Sequence, residues 1–151
     1  MNVADFLEQI KATGAAKAVR LILVDPQAAF RMPLDESRLN RVGCNYTTQD
    51  QKHISDMVDI LRSANIQANS HSEIPQHGWE PREGIYIRLA NGKEVRFLFE
   101  KLYINIERIR GKFNEDLITA DLSLPESLYK WASKLKVNSK CESFISRYRN
   151  K

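Results

Sequence analysis

The amino-acid sequence predicts an α+β fold in which an antiparallel meander of three to five strands packs against helices. Three observations favour this class. Apolar residues recur at helical spacing in several segments, two adjoining segments near residue 90 alternate with strand spacing, and the strands are clustered instead of interleaved with helices. A length of 151 residues is typical of one domain, so we expect a single domain over 1–151 with a basic, frayed C-terminal end.

The N-terminal segment predicts one helix followed by one strand. Apolar residues at helical spacing predict a helix over 3–12, with Asn2 placed to cap it and Gly14 placed to end it. The next segment is rich in branched apolar residues and stops before an Asp-Pro pair. It therefore predicts a largely buried strand over 17–24.

The region that follows predicts a long central helix. A short helix over 35–40 and an extended piece near 44–47 are expected first, because prolines and mixed polarity leave little periodicity there. Thr48 and Gln51 then stand three residues apart, which is the capping-box arrangement that begins a helix. An apolar stripe follows, so we predict a helix over 48–64.

A long polar segment over 69–83 has no periodicity, and loops of this length are often functional. It contains His71, Glu73 and His77, which could hold a metal or transfer protons, although solvated loop side chains are the simpler interpretation. Trp79 in the same loop either closes the edge of the core or anchors a partner.

Strands over 85–90 and 93–99 form a predicted hairpin whose register follows from the apolar pattern. An Asn-Gly turn of two residues would put the apolar side chains of the two strands on opposite faces. A three-residue loop instead pairs Ile87 with Val95 and keeps one face apolar. We therefore predict a type I turn followed by a bulge, with Gly92 in the left-handed conformation.

The C-terminal part predicts two further strands and two helices. A shift in the apolar phase requires a turn or bulge near 100–101, and Gly111 indicates a second turn, so strands are predicted over 102–109 and 113–122. Ser123 is placed to cap a helix over 125–136 in which Trp131 lies on the apolar, core-facing side. A short amphipathic helix is expected to finish the chain.

Two cysteines, Cys44 and Cys141, lie far apart and have no metal-ligand spacing. The N-terminal segment carries charges within its apolar pattern, unlike a signal peptide, so we expect a cytoplasmic protein with two reduced thiols. A long-range disulfide between them is the alternative, and it would require an oxidising compartment. No stretch is long and apolar enough to suggest insertion into a membrane.

Catalytic and cofactor motifs are missing from the sequence. Neither glycine-rich phosphate loop, GxGxxG or GxxxxGK[ST], occurs, and GxSxG is also missing. We therefore expect no bound cofactor or metal, and the interpretation leans away from an enzyme. The net charge of +4 is a mild bias that permits contact with nucleic acid or with an acidic protein.

The meander face turned away from the core is the predicted binding surface. Arginine and tyrosine are enriched at protein interfaces, and aromatic residues with arginines also bind single-stranded nucleic acid. The residues proposed for binding, together with two from the polar loop, are Tyr86, Arg88, Arg96, Leu98, Tyr103, Trp79 and His77.

The leading functional hypothesis is a non-enzymatic protein-binding module with a protein partner, such as an adaptor or an immunity or inhibitor protein of bacteria. The analogy with immunity proteins rests on size and class alone, and the basic charge departs from it, because inhibitors of basic nucleases are more often acidic. Binding of single-stranded nucleic acid, such as RNA, through Tyr86, Arg88, Arg96, Tyr103 and the C-terminal lysines is the alternative hypothesis. An enzyme centred on the loop histidines is the third.

Overall fold

The computed structural model describes residues 2–69, 79–103, 106–135 and 140–149. Among these residues the chain forms a seven-stranded antiparallel sheet with helices on both faces. In chain order the elements are α1 Val3–Thr13, β1 Ala16–Leu23, α2 Glu36–Val42, β2 Cys44–Thr48, α3 Gln51–Ser63, β3 Gln67–Ala68, β4 Pro81–Leu89, β5 Glu94–Glu100, β6 Ile109–Phe113, β7 Asp116–Ala120, α4 Leu124–Ser133, α5 Glu142–Ile145 and a 3₁₀ helix, Ser146–Tyr148. The predicted α+β class is confirmed.

The strands lie in the order β2-β1-β4-β5-β6-β7-β3, and neighbouring strands run antiparallel. Alternate residues of each strand point to opposite faces. One face, here called the helix face, packs against α1, α3, α4 and α5 and contains most of the core. The other, here called the α2 face, is covered by α2 and by the segment before it around a smaller apolar cluster. The sheet has more strands than the three to five predicted, because β2 and β3 add to its edges.

The central hairpin has the predicted register. Ile87 lies opposite Val95, and the N–H of Leu89 donates to the carbonyl of Lys93 across a three-residue loop at 2.8 Å. Gly92 has φ of +85°, the left-handed conformation that this loop requires. The hydrophobic pattern therefore indicated the pairing, because the register of a two-residue turn would have placed an apolar row in solvent.

The central helix begins later than predicted and with a different cap. Asp50 is the N-cap, and its carboxylate accepts from the N–H groups of Lys52 and His53 at 2.9 and 3.1 Å. Thr48 belongs to β2, where it lies opposite Val19, so it cannot begin the helix. Its hydroxyl instead accepts from the N–H of Asp50 at 3.1 Å. The predicted Thr48 cap is wrong because the helix begins at Gln51, so that Asp50 and not Thr48 immediately precedes its first residue.

The predicted strand over 102–109 is also wrong in the part of the chain that the structure describes. β6 begins only at Ile109, and the turn after it lies at Asn114, whose φ of +53° is left-handed. We had interpreted Gly111 as a turn, but it lies in the middle of β6 opposite Phe99. A Cβ there would lie 2.5 Å from the carbonyl oxygen of Leu98. Gly111 thus does not form a turn. It allows β5 and β6 to approach each other closely.

Gly111→Ala should therefore destabilise the sheet. We expect a loss of about 1–3 kcal/mol in the free energy of unfolding, because the added methyl group meets backbone that cannot move independently. Gly84→Ala is the matched control, since a Cβ at Gly84 meets only side-chain atoms, at 3.1 to 3.2 Å. Urea unfolding of both variants tests this, and an equal effect of the two substitutions would contradict it.

Cys44 and Cys141 form a disulfide, with their Cα atoms 6.2 Å apart. The prediction of two reduced thiols is therefore wrong. Cys44 begins β2 and faces the core, where the segment before α5 packs, and both cysteines are buried. A sequence separation of 97 residues concealed this contact.

The terminal helices and the core positions agree with the sequence interpretation. Asn2 caps α1 through its side chain, which accepts from the N–H of Asp5 at 2.8 Å, and Gly14 ends the helix with φ of +66°. Trp131 is buried and donates its indole N–H to the carbonyl of His53 at 2.9 Å. Ser123 stands at the N-cap of α4 but makes no side-chain capping bond. None of the described helices has the length and apolar character needed to cross a membrane.

Candidate functional site

The middle of the α2 face is covered by α2. Tyr86 is only 6% exposed, and its hydroxyl donates to the carboxylate of Glu36 at 2.6 Å while accepting from the amide of Asn40 at 2.8 Å. Burial, together with the neighbouring Glu36, raises the pKa of Tyr86 to about 12. Leu98 is buried as well. The expected exposure of Tyr86 and Leu98 is therefore wrong.

Arg96 lies on the same face but its charge is already paired. Its Nε is 3.5 Å from the carboxylate of Glu36, and its Nη2 forms an ion pair with Glu115. An arginine that faces two carboxylates offers little attraction to a further anion. The structure therefore does not leave Arg96 as the open cationic contact that we expected.

Arg20 was missed by the sequence interpretation because it lies in the strand predicted as buried. Its Nη1 donates to the side-chain oxygens of Asn40 and Asn45 at 2.7 and 3.1 Å. Its guanidinium lies over the ring of Tyr86, 4.1 Å from the ring centroid. The signal that could have identified Arg20 is its position between two inward-facing apolar residues, Val19 and Leu21, which turns it to the opposite face of the sheet.

Beside α2 the face opens into a cleft of about 490 Å³, here called the arginine cleft. Residues of β1, β2, β4 and β5, together with the residue that follows β2, line this cleft. They are Ala18, Val19, Arg20, Thr47, Thr48, Gln49, Tyr86, Arg88 and Glu94. Two of the predicted binding residues, Tyr86 and Arg88, thus contribute to one cleft, with the tyrosine as its buried wall.

The arginine cleft retains positive charge. Both hydrogen-bond partners of Arg20 are neutral amide oxygens. Arg88 is exposed, and within the described part of the chain neither arginine has a carboxylate within 4.0 Å. Glu94, opposite Arg88 in the hairpin register, is the acidic residue of the lining. Such an arrangement supplies the donors and the positive charge that charge-assisted hydrogen bonds to an oxyanion require.

The cleft does not hold a nucleophile with an arranged base. The hydroxyl of Thr48 lies 3.5 Å from Nδ1 of His53, and the carboxylate of Asp50 lies 3.9 Å from the same nitrogen. A catalytic relay needs the two groups on different ring nitrogens, so that one orients the imidazole while the other nitrogen accepts a proton. These contacts instead belong to the start of α3.

Trp79 and Tyr103, two further predicted binding residues, lie at the other end of the central strands. Trp79 is half-buried, with the ammonium of Lys112 5.2 Å from its ring centroid. Tyr103 is half-buried, and burial with the nearby Glu100 raises its pKa. His77, like His71 and Glu73, lies outside the described residues. The structure therefore does not bring Trp79 or Tyr103 into the arginine cleft.

Glu83 is a buried acid on the helix face, away from the cleft. It is 4% exposed, and the hydroxyl of Tyr129 donates to its carboxylate at 3.0 Å. Burial raises its pKa to about 7, despite the opposing effects of this hydrogen bond and of Arg82. Since α4 covers it, Glu83 affects stability more directly than binding. Within the described residues no three His, Cys, Asp or Glu side chains are grouped to hold a metal.

Comparison with known proteins identifies no relative. No protein-family model matches the chain, and neither the curated proteins nor the solved structures include a significant match. The functional argument therefore depends on the geometry of this chain.

Proposed function

We propose that this chain is a non-enzymatic protein-binding module that contacts an acidic surface of its partner through the arginine cleft. The observation that supports the proposal is the retained charge of Arg20 and Arg88 in a cleft that opens on the α2 face. Arginine is enriched at the energetic centres of interfaces, since its planar fork pairs with carboxylates. An adaptor, or an immunity or inhibitor protein of bacteria, would use such a surface.

Nucleic-acid binding has weaker support. Base stacking needs an exposed aromatic face, and Tyr86 is buried with Arg20 over its ring. Arg96, the second expected phosphate contact, is paired with carboxylates. An acidic protein needs only the charge and the hydrogen-bond donors that the cleft offers. An enzyme centred on His71, Glu73 and His77 stays a hypothesis about residues that lie outside those described.

The cytoplasmic location also stays a prediction, and the disulfide between Cys44 and Cys141 argues against it. Cytosolic thiols are kept reduced, so a buried structural disulfide favours an oxidising compartment. Acid-quenching intact cells and then alkylating the denatured protein tests the point, because both cysteines are buried in the folded protein. An unmodified pair indicates an oxidising compartment, and a modified pair supports the cytoplasm.

Reversing the charge of Arg88 should weaken partner binding. We expect Arg88→Glu to weaken retention of the partner at least about tenfold, because a charge-assisted hydrogen bond contributes about 1.5–3 kcal/mol. Arg41→Glu is the matched control, since Arg41 is equally an exposed arginine but lies on α2 and outside the cleft. Affinity capture followed by quantitative mass spectrometry measures how much partner the wild-type protein, Arg88→Glu and Arg41→Glu each retain.

Two outcomes would contradict the proposal. The first is equal retention by wild type and Arg88→Glu. The second is retained material that disappears after nuclease treatment and elutes at moderate salt, which is the behaviour of phosphate contacts.

A further inference from the structure

We propose that the arginine cleft binds the carboxylate side chain of an acidic segment in the partner, with Arg20 holding both carboxylate oxygens. This inference rests on the proposed function, and it names the chemical group that the cleft recognises. The geometry of Arg20, the rigidity of its surroundings and the charge at the rim each support it.

The hydrogen bonds of Arg20 leave one edge of its guanidinium available. Of the five N–H donors of an arginine, Nη1 carries two, and here Nη1 donates to both Asn40 and Asn45. Its Nε and Nη2 donate to no residue in the described ranges. This edge presents two nearly parallel N–H groups, which match the two oxygens of a carboxylate.

The guanidinium is also held in place before any ligand arrives. Tyr86 lies against one side of it, and Tyr86 is itself fixed by Glu36 and Asn40. Arg20 lies on β1 between Thr47 of β2 and Tyr86 of β4, so strands flank it on both sides. A side chain ordered in advance loses little conformational entropy on binding, which favours affinity.

The rim of the cleft favours a carboxylate over a phosphate. Glu94 contributes a negative charge to the lining, and it repels a doubly charged phosphate more strongly than a singly charged carboxylate. Thr47, Thr48 and Gln49 add uncharged polar groups to the lining. A glutamate or aspartate side chain therefore fits the cleft better than inorganic phosphate or a phosphate monoester.

The test follows the Nε–H signals of the arginine side chains in the full-length protein by NMR. The probes are acetyl-Gly-Glu-Gly-amide, the matched glutamine peptide and inorganic phosphate, all at equal ionic strength. We expect the glutamate peptide to shift the Arg20 signal and the glutamine peptide to leave it in place. Arg62 is the internal control, because its Nε already donates to Glu8 at 2.8 Å.

Two variants separate the effect of the planar guanidinium group of Arg20 from the effect of positive charge on peptide binding. Arg20→Lys keeps the charge but loses the planar fork, and we expect it to bind the glutamate peptide at least about tenfold more weakly. Arg88→Gln changes an exposed residue and should weaken binding while leaving the thermal unfolding curve unchanged. Even if Arg20→Lys is unstable, titration of the wild-type protein with the two peptides and with phosphate tests whether Arg20 binds a carboxylate.

Three results would overturn the inference: no shift of the Arg20 signal, equal shifts from both peptides, or phosphate binding as tightly as the glutamate peptide. Its failure is distinguishable from failure of the proposed function. If Arg88→Glu loses the partner but no peptide shifts Arg20, only the carboxylate assignment is wrong. If Arg88→Glu keeps the partner while the glutamate peptide still shifts Arg20, the proposed interface is wrong and the carboxylate site stands.

Discussion

Replacing Cys44 and Cys141 together by alanine should lower the free energy of unfolding by about 4–5 kcal/mol, because the disulfide closes a long loop, which spans about two thirds of the chain. The two residues are 97 positions apart, and a cross-link restricts the unfolded chain more as the closed loop lengthens. Both sulfurs are buried in the core between β2 and the segment before α5. Their loss should also loosen the C-terminal helices.

Denaturant unfolding with and without reductant measures this effect. The wild-type protein should lose a similar amount of stability when it is reduced, and the double variant should be insensitive to reductant. A double variant as stable as the oxidised wild type would contradict the prediction. So would a wild-type protein whose unfolding midpoint is the same in the presence and absence of reductant.

Glu83→Gln should stabilise the fold by about 3 kcal/mol at pH 8. The pKa of Glu83 is raised from an ordinary value of 4.5 to about 7 by burial, and each pKa unit corresponds to about 1.4 kcal/mol. Between these values the folded state binds more protons than the unfolded state. The stability that protonated Glu83 contributes is therefore fully present below about pH 4.5 and is lost as the pH rises through about 7. Glutamine keeps an acceptor for the hydroxyl of Tyr129 without the buried charge.

Thermal unfolding from pH 4.5 to pH 8 tests the sign of this pH dependence of stability. The wild-type stability should fall over this range relative to that of Glu83→Gln, and the two should converge at the acidic end. Glu94→Gln is the control, because Glu94 is an exposed glutamate on the neighbouring strand and should leave the profile unchanged. A wild-type protein that gains stability relative to Glu83→Gln as the pH rises would contradict the assignment.

The central hairpin could be predicted because a local pattern determines it. The alternation of apolar residues around Ile87 and Val95 excludes the two-residue Asn-Gly turn and favours the three-residue loop, which then requires a left-handed Gly92. The caps of α1 were equally predictable, since Asn2 and Gly14 act on backbone groups within a few residues.

Features that depend on distant contacts could not be predicted. The disulfide depends on β2 lying at the edge of the sheet beside the segment before α5, which no local pattern indicates. Gly111 was misinterpreted because a glycine at a turn and a glycine at a close strand contact look alike in sequence. Asp50 replaced Thr48 as a cap because strand pairing extended through Thr48.

The candidate site was predicted in part. Strand alternation placed Arg88 on the correct face, where it is exposed and lines the arginine cleft. The same alternation placed Tyr86 there, but only the tertiary structure shows that α2 covers it. Arg20 belongs to the site although its own strand had been interpreted as buried. Its role depends on Asn40 and Asn45, which are distant in sequence.

Hydrogen exchange with the captured partner bound is the most direct test of the claim that the arginine cleft is the interface. We expect partner binding to slow amide exchange in β2 and in the segment after it up to Asp50, together with the part of β4 around Arg88. The helix face, represented by α1 and α4, should be unchanged. Slower exchange confined to α1 and α4, with none in β2 or near Arg88, would contradict the claim.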